Sequence, residues 1–327
     1  MALEIFWQLP VNGDGRTADR SQWNRGDYQN APSRAWRFDR AHGHEEVSYY
    51  DYLVQVARAA ELGGFDGVII PQTDEGEEPL IVAGAIARDV RRLKLVPELP
   101  AHFLSAVYTA KIATSFQRLT GGRLVLDLVT REAEPGAWHG HDRSVAEQIA
   151  RADEFLTVFK GFWNEKPYTF EGQYYEVLNG GFNGPLEGQP LPEIVLSGTT
   201  DEALVLGAKH ADLYLFDSES PEIVSAHIAR LKALAGDRSI RFGLRAEITA
   251  RHTQAEAEAA AHTRDGEGDP RLSGDYDHVA QRLEAYVEVG VSTLILRARP
   301  HLEDAYRTAQ HVLPRLSGWA GRLQKTA

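Results

Sequence analysis

The chain has no cysteine and only one methionine among its 327 residues. Without thiols it can form no disulfide, thiolate zinc site or iron–sulfur cluster, and it has no cysteine nucleophile. No apolar run approaches the roughly 18 residues that a membrane-spanning helix needs. The segment Leu3-Glu4-Ile5-Phe6-Trp7 also lacks the basic and apolar regions of a signal peptide. We therefore expect a cytoplasmic protein that does not associate with membranes.

Positive charge is also scarce, because 35 Lys and Arg residues stand against 47 Asp and Glu residues, a net charge of −12. The phosphates of nucleic acids and anionic lipids repel such a chain, so we expect neither as its main partner. Hydrophobic residues make up 43% of the chain, enough for a substantial core. The expected partner is instead a small molecule, since the charge of one cleft can differ from the net charge.

Short apolar runs alternate with helical patterns along the chain, which is typical of parallel β–α–β units. Strands are predicted at 3–9, 67–71, 93–96, 124–129, 193–197, 213–216, 242–249 and 293–297. Helices are predicted at 49–62, 80–91, 106–119, 144–163, 200–209, 221–235, 276–289 and 302–316. This regular spacing favours closure into a (β/α)₈ TIM barrel over an open doubly wound sheet. We expect an α/β fold with one domain over residues 1–327.

Three polar stretches interrupt the alternation. Residues 10–46 follow the first strand, and residues 168–192, after the fourth strand and its helix, indicate a hairpin with Gly172 at its turn. Residues 252–273, after the seventh strand, indicate a short helix and a glycine-rich loop. Chemistry in such barrels sits at the carboxyl ends of the strands, so the residues that follow each strand are the candidates for function.

The motif Ser197-Gly198-Thr199-Thr200-Asp201 is the clearest of these candidates, because a predicted strand ends there in a turn of small residues that opens a helix. Free backbone N–H groups, side-chain hydroxyls and the helix dipole would suit a phosphate at this turn. The same residues would also serve as an ordinary helix N-cap, through Thr199 or Thr200. Both interpretations remain open from the sequence.

Arg245 and Glu247 lie two residues apart in the seventh predicted strand, so their side chains point to the same face. Charged groups inside a barrel are costly unless they are paired or meet a ligand. The two residues therefore form either a structural ion pair or a catalytic pair.

No metal site is predicted at the histidines of the polar loops, because they have no carboxylate at a fixed ligand spacing. These histidines are His42, His44, His139 and His141.

Several short motifs follow one another over nearly the whole chain. They are Phe6-Trp7-Gln8-Leu9-Pro10, Gly67-Val68-Ile69-Ile70-Pro71, Arg118-Leu119-Thr120-Gly121-Gly122-Arg123, Asp127-Leu128-Val129-Thr130, Asp153-Glu154-Phe155-Leu156, Ser197-Gly198-Thr199-Thr200, Arg241-Phe242-Gly243-Leu244-Arg245 and Pro300-His301-Leu302-Glu303-Asp304. In this order they resemble the alkanesulfonate monooxygenase branch of the bacterial-luciferase-like flavoproteins. The resemblance implies a luciferase-like barrel that binds reduced FMN from a separate flavin reductase and activates O₂ at the flavin.

The resemblance also suggests roles for individual residues. The cofactor-binding candidates are Trp7, His102, Asp127, Thr130, Ser197, Gly198, Thr199 and Thr200, the catalytic candidates are Arg245 and Glu247, and the substrate-binding candidates are Trp138, Arg297 and Arg299. Luciferase-like barrels commonly pair, so a homodimer or a higher homo-oligomer is expected.

The chain departs from the sulfonate enzymes of this branch at several positions. Glu247 replaces a histidine, Gly76 a cysteine, Arg299 a tyrosine, Asp127 an asparagine and Ile149 a tyrosine, and the insertion after the seventh strand is cut to residues 252–273. The fold and the use of flavin are compatible with these changes, but an alkanesulfonate substrate does not follow from the resemblance.

The sequence therefore predicts a two-component monooxygenase that uses reduced FMN and O₂. Arg245, Arg297 and Arg299 favour a small, anionic organic substrate. One alternative on the same fold is a hydride-transfer oxidoreductase that depends on the deazaflavin coenzyme F420. A second alternative is a barrel that binds flavin without turnover, which the shortened insertion keeps open.

Overall fold

The computed structural model describes residues 3–11, 49–73, 76–101, 104–129, 144–262 and 272–319. Its strands are β1 (Glu4–Gln8), β2 (Gly67–Ile70), β3 (Lys94–Pro100), β4 (Val125–Val129), β5 (Tyr168–Glu171), β6 (Glu176–Gly180), β7 (Glu193–Ser197), β8 (Leu213–Asp217), β9 (Arg241–Glu247), β10 (Thr249–Arg251), β11 (Ser273–Asp275) and β12 (Thr293–Arg297). Its helices are α1 (Tyr49–Leu62), α2 (Pro79–Ile86), α3 (Ala106–Thr120), α4 (Val145–Asn164), α5 (Asp201–His210), α6 (Pro221–Ala235), α7 (Gln254–His262), α8 (Tyr276–Glu288) and α9 (His301–Arg307).

Eight of these strands close into a barrel in the order β1-β12-β9-β8-β7-β4-β3-β2. β1 pairs in parallel with β2 and β12, β4 with β3 and β7, β9 with β12, and β7 with β8. The eight strands of the barrel correspond to those that the sequence predicts. The predicted (β/α)₈ TIM barrel is therefore confirmed. The hairpin is confirmed as well: β5 and β6 are antiparallel, and the Gly172 N–H donates to the Tyr175 carbonyl at 3.0 Å. The insertion after β9 holds α7 and a two-stranded parallel sheet of β10 and β11.

Two predicted boundaries near prolines are wrong. The third strand does not stop at residue 96 but runs through Pro97 and ends at Pro100. The last helix does not run from 302 to 316, because α9 ends at Arg307 and a π-helical turn and a 3₁₀ turn (Leu313–Arg315) follow it. Pro314 lies in that 3₁₀ turn, where it lacks the N–H that an α-helix would use.

Helix α2 is also shorter than the predicted span 80–91. It ends at Ile86, and the next residues form a tighter turn in which Arg88 N–H donates to the Ala85 carbonyl and Asp89 N–H to the Ile86 carbonyl. Such i→i+3 bonds commonly close a helix end.

Among the described residues, no helix combines the length and the apolar character needed to cross a membrane.

The chain falls into two compact units, and the expectation of one domain stays a prediction. The first unit comprises Met1–Leu95, Asp217–Ser225 and Phe242–Ala327. Its strands place Phe6 beside Gly67 and Ile295, and Ile295 beside Arg245. Helix α1 buries Leu53, Val56 and other apolar side chains as one face of this unit's core.

The second unit comprises Val96–Phe216 and Ala226–Arg241. Helix α4 contributes Phe155 and Phe159, two fully buried rings that stack with their centroids 6.1 Å apart. The neighbouring Glu154 carboxylate accepts hydrogen bonds from three successive N–H groups of the hairpin turn, at 2.8 to 3.2 Å. One helix therefore anchors both the core and the hairpin of this unit.

A buried histidine joins α4 to α5 in the second unit. Nε2 of His210 lies 2.7 Å from Oδ1 of Asp153, which also pairs with Nζ of Lys209 at 2.7 Å. The His210 carbonyl accepts a hydrogen bond from Lys160 Nζ at 2.8 Å. Burial lowers the pKa of His210 to about 4, because it outweighs the attraction of Asp153 for the charged imidazolium.

This histidine should make the fold sensitive to mild acid. Its folded pKa of about 4 lies below the unfolded value of about 6.5, so the unfolded chain takes up a proton first as the pH falls. The stabilisation is complete above about pH 6.5 and is lost between there and about pH 4. Between pH 7 and pH 5, His210 should lower the free energy of unfolding by about 2 kcal/mol. Urea unfolding of wild type and His210→Gln at both pH values measures this contribution.

The His210→Gln variant should show a smaller loss between the two pH values, since glutamine does not titrate. His278→Gln is the matched control, because His278 is exposed on α8 and should leave the wild-type loss unchanged. An equal loss in wild type and His210→Gln would contradict this assignment.

Candidate functional site

The turn between β7 and α5 lies in the second unit and contains four of the predicted cofactor-binding residues. Strand β7 ends at Ser197, and Gly198 follows with a φ of +132°. A side chain at Gly198 would place its Cβ 2.8 Å from Cβ of Ala203, so the turn needs glycine both for its conformation and for its space. Thr200 is the N-cap of α5, and its Oγ1 accepts a hydrogen bond from the Ala203 N–H at 3.2 Å. The capping interpretation is therefore confirmed for Thr200.

Capping by Thr200 leaves other donors at this turn available. Thr199 and Thr200 are exposed, and the part of the chain that the structure describes contains no acceptor for their backbone N–H groups. Two carboxylates in the first turn of α5, Asp201 and Glu202, oppose a bound anion. Asp201 is ion-paired with Arg230 at 2.6 Å, which offsets part of that repulsion. The donors, the small residues and the helix dipole together fit a phosphate group.

Tyr214 of β8 supports the turn from within the second unit. Its hydroxyl donates a hydrogen bond to the Gly198 carbonyl at 3.0 Å, and its ring packs against Gly207 of α5. Burial raises the pKa of Tyr214, which favours the protonated hydroxyl that donates this hydrogen bond. This tyrosine was not among the predicted site residues, because the pattern of residues does not show what its hydroxyl contacts.

Two carboxylates lie side by side on neighbouring strands of the second unit. Asp127 of β4 is in register with Glu98 of β3 on one side and with Val195 of β7 on the other. Both carboxylates are buried, with relative exposures of 0% for Asp127 and 2% for Glu98. Glu98 was not predicted as a site residue, because the predicted third strand ends at residue 96. Had the strand been continued, its alternation would have pointed to this residue.

The first unit contains a buried carboxylate between arginines. Glu247 ends β9, and its side chain is 5% exposed. Its Oε2 lies 2.7 Å from Nη2 of Arg297, the residue in register with it on β12, and its Oε1 lies 3.8 Å from Nε of Arg299. The structure thus brings a predicted catalytic residue together with two predicted substrate-binding residues.

Strand register separates the other predicted residues of the first unit. Arg245 precedes Glu247 by two residues and shares its face of β9, as predicted. Trp7 is in register with Leu296, the neighbour of Ala246, so it occupies the opposite face. The Trp7 side chain is fully buried, and its ring centroid lies 5.3 Å from that of Phe65. Trp7 and Arg245 therefore line different sides of the sheet.

A second buried carboxylate in the first unit was not predicted. Asp304 of α9 is 1% exposed and forms ion pairs with Arg251 of β10 and with Arg307. Both Asp304 oxygens lie 3.3 Å from the Arg251 guanidinium. These contacts attach the insertion after β9 to the helix that follows β12.

The remaining predictions divide between described and undescribed residues. His102, Thr130 and Trp138 lie outside the described residues, as do His42, His44, His139 and His141. The described residues include no group of three metal-ligating side chains. At Gly76, where the sulfonate enzymes have cysteine, a Cβ atom would lie 2.3 Å from Oγ1 of Thr73, so a larger residue would require a local shift.

Comparisons with known proteins relate these features to a family. The model of the luciferase-like monooxygenase family matches residues 35–269. EDTA monooxygenase (EmoA) from Chelativorans sp. BNC1 shares the fold with a TM-score of 0.77 and 17% identity, over 98% of this chain and 96% of that chain. The oxygenating constituent of 3,6-diketocamphane monooxygenase from Pseudomonas putida, in complex with FMN, has a TM-score of 0.71 and 16% identity, over 97% and 99% of the two chains.

An F420-dependent secondary alcohol dehydrogenase, in complex with an F420–acetone adduct, has a TM-score of 0.71 and 12% identity, over 97% of this chain and 99% of that chain. At such low identities these structures show a common barrel rather than a common reaction. The alkanesulfonate branch stays a prediction. Because the family model matches most of the residues and the barrel is the same, this chain belongs to the luciferase-like monooxygenase family.

Proposed function

We propose that the chain is the oxygenating component of a two-component system that uses reduced FMN and O₂ to oxidise a small, anionic organic substrate. The turn between β7 and α5 is the observation that carries the proposal. It presents backbone donors of Thr199 and Thr200 and the N-terminus of a ten-residue helix, a combination suited to the single phosphate of FMN. Asp127, Thr130 and His102 are further proposed contacts of the cofactor.

Reduced FMN, when bound, would supply the two electrons that reduce O₂, with one oxygen atom entering the substrate and the other leaving as water. The protein's task is to hold the substrate and to keep water away from the reacting atoms. We assign the binding of an anionic substrate group to Arg297 and Arg299, with Trp138 as a further contact. Arg245 is the proposed catalytic residue. Glu247 holds the two arginines in place, which makes it a positioning residue.

The charges of the first unit support an anionic substrate. Arg297 and Arg299 form ion pairs with the buried carboxylate of Glu247, and Arg245 lies on the same face of β9 as Glu247. This arginine-rich group contrasts with the net charge of −12 on the chain. Arginine suits carboxylate, sulfonate and phosphonate groups because its planar donors match their oxygen atoms. Arg297 is 41% exposed and therefore accessible to a ligand.

A second candidate function is coenzyme F420-dependent hydride transfer. The similarity to the F420-dependent alcohol dehydrogenase supports this second candidate, because that protein has the same barrel. F420 also carries phosphate, so the turn between β7 and α5 does not discriminate between the two cofactors. The discriminating experiment compares anaerobic binding of reduced FMN and reduced F420, followed by admission of O₂. Substrate-dependent oxygen uptake with FMN supports the monooxygenase, whereas anaerobic substrate reduction with F420 supports the alternative.

The proposal includes an assembly and a location. We propose a homodimer, for which the exposed apolar side chains Leu62 of α1 and Ile81 of α2 offer contact surface, at 69% and 72% exposure. A separate flavin reductase would deliver the reduced FMN. Because such a reductase draws on nicotinamide nucleotides, we propose the cytoplasm as the location.

The cofactor assignment predicts a specific order of affinities. In anaerobic titrations, reduced FMN should bind more tightly than FAD or a nicotinamide nucleotide. Thr199→Asp should weaken FMN binding by about 100-fold or more, because a carboxylate beside the phosphate adds like-charge repulsion. Thr169→Asp is the matched control, since Thr169 is an exposed residue of the β5–β6 hairpin. Unchanged FMN affinity in Thr199→Asp would remove this turn from the cofactor site.

The ion pairs of Glu247 predict non-additive effects on stability. Arg297→Ala removes the nearest partner of a buried carboxylate and should lower the free energy of unfolding by about 1–3 kcal/mol. This loss is smaller than for a fully buried pair, because Arg297 is partly exposed. In a Glu247→Gln background the same change should cost little, since no charge is left without its partner. Denaturant unfolding of the four proteins measures the coupling. Additive losses would contradict the pairing.

Arg245 should affect turnover more than stability. Arg245→Ala should shift the melting temperature by only a few degrees and lower substrate-dependent oxygen uptake by about 100-fold, as when a charged contact to a reacting group is removed. Candidate substrates are small carboxylates, sulfonates and phosphonates, each beside a neutral analogue. Arg118→Ala, on the exposed end of α3, is the control. A destabilised Arg245→Ala with normal turnover per folded molecule would show a structural role instead.

A further inference from the structure

Tyr214 is a buried tyrosine whose ring position is determined by its surroundings. It is fully buried on β8. The ring lies so close to Gly207 of α5 that a Cβ atom there would be 2.1 Å from Cε2 of the tyrosine. The Phe216 ring also packs near it, with 5.3 Å between the ring centroids. Packing between strand and helix therefore leaves the ring little freedom to move.

The hydroxyl of this ring reaches one acceptor at the proposed phosphate turn. It donates to the Gly198 carbonyl at 3.0 Å, across 16 residues of sequence. Gly198 has a φ of +132°, in the region that favours glycine, and its backbone could otherwise adopt several orientations. The hydrogen bond selects the orientation in which this carbonyl points to the interior of the second unit.

The direction of that carbonyl determines the direction of the next N–H group. The peptide bond between Gly198 and Thr199 is trans, since the cis bonds of the described chain are Lys166–Pro167 and Arg299–Pro300. In a trans peptide, the carbonyl and the following N–H point in opposite directions. Because the Gly198 carbonyl points inward to Tyr214, the Thr199 N–H points away from it. Thr199 is exposed, so this N–H is directed outward.

We propose that Tyr214 is a positioning residue for cofactor binding, because its hydroxyl orients the Gly198–Thr199 peptide so that the Thr199 N–H donates to the cofactor's phosphate. This inference rests on the proposed binding of FMN at the turn. It assigns no contact between Tyr214 and the cofactor. The ligand chemistry is that of a phosphate monoester, whose oxygen atoms accept hydrogen bonds from backbone N–H groups.

A purely structural role makes a different prediction. If the hydroxyl only satisfied a buried carbonyl, its removal would affect stability and would weaken all flavins alike. Under the positioning role, its removal weakens only those ligands that carry the phosphate. The ratio of the dissociation constants of reduced riboflavin and reduced FMN isolates this effect, because the two ligands differ only in the phosphate.

The test uses Tyr214→Phe, which removes the hydroxyl and keeps the ring. Wild type should bind reduced FMN at least about 30-fold more tightly than reduced riboflavin. Tyr214→Phe should reduce this ratio of dissociation constants about tenfold, which is the effect of losing one hydrogen bond to a charged group. Riboflavin affinity should stay within about twofold of wild type. Tyr286→Phe is the matched control, because Tyr286 is also buried and its hydroxyl also donates to a backbone carbonyl, that of Glu219.

Thr199→Pro completes the test, since it deletes the N–H that Tyr214 is inferred to orient. In that background, Tyr214→Phe should cause no further loss of the ratio. An additive loss, or an unchanged ratio in Tyr214→Phe alone, would overturn the inference while leaving the proposed function intact. Equal affinity of wild type for FMN and riboflavin would instead refute phosphate binding at the turn, and the inference with it.

If Tyr214→Phe does not fold, the wild-type protein still provides a test by NMR. The amide proton of Thr199 should shift downfield when reduced FMN is added and should not shift in this way with reduced riboflavin. A resonance that responds equally to both ligands would overturn the inference.

Discussion

The strands of a parallel barrel are buried on both faces, one against the barrel interior and the other against helices, and this constraint governs where the chain can place charge. Strands β2 and β4 have no exposed residue. A charged side chain in such a strand needs a partner, because the loss of hydration is otherwise too costly. The charged residues that this chain buries in its strands, Glu98, Asp127 and Glu247, are therefore candidates for function.

The first unit contains two buried carboxylates, one on a strand and one on a helix, and it pairs both in the same way. Glu247 and Asp304 are both buried carboxylates, and each forms ion pairs with two arginines. Arginine suits this task because its planar guanidinium offers several donors to one carboxylate. Arg297 of β12 reaches Glu247 of β9, and Arg251 of β10 reaches Asp304 of α9, so the ion pairs also join parts of the chain that are distant in sequence. The partly exposed Arg297 retains donors for a ligand.

The second unit shows how local and non-local interactions combine at one turn. The cap by Thr200 is local, because its hydroxyl reaches a backbone group only three residues away. The orientation of the Gly198 carbonyl is non-local, because it depends on Tyr214 of the next strand. That contact in turn requires Gly207, since any side chain there would occupy the space of the ring. A short motif can therefore be recognised from sequence while its geometry depends on residues outside it.

The amino-acid sequence by itself determined the alternation of strands and helices, and with it the barrel. Within each segment, apolar residues recur with the period of a strand or a helix, so the eight strands and the hairpin could be predicted. Two candidate sites could also be recognised, because each is a short motif at a strand end. They are the turn from Ser197 to Thr200 and the charged residues Arg245 and Glu247. The predicted bounds were wrong at the end of the third strand, at the end of α2 and at the end of the last helix.

Only the tertiary structure decided which residues meet. The sequence paired Glu247 with Arg245 or a ligand, whereas the ion pairs of Glu247 shown in the structure reach Arg297 and Arg299. Glu98 beside Asp127, Asp304 with Arg251, and Tyr214 with Gly198 were likewise absent from the predictions. Each of these contacts joins segments that are distant in the chain. Strand register and helix packing set such contacts, and both arise from hydrogen bonds and burial that no local stretch of sequence contains.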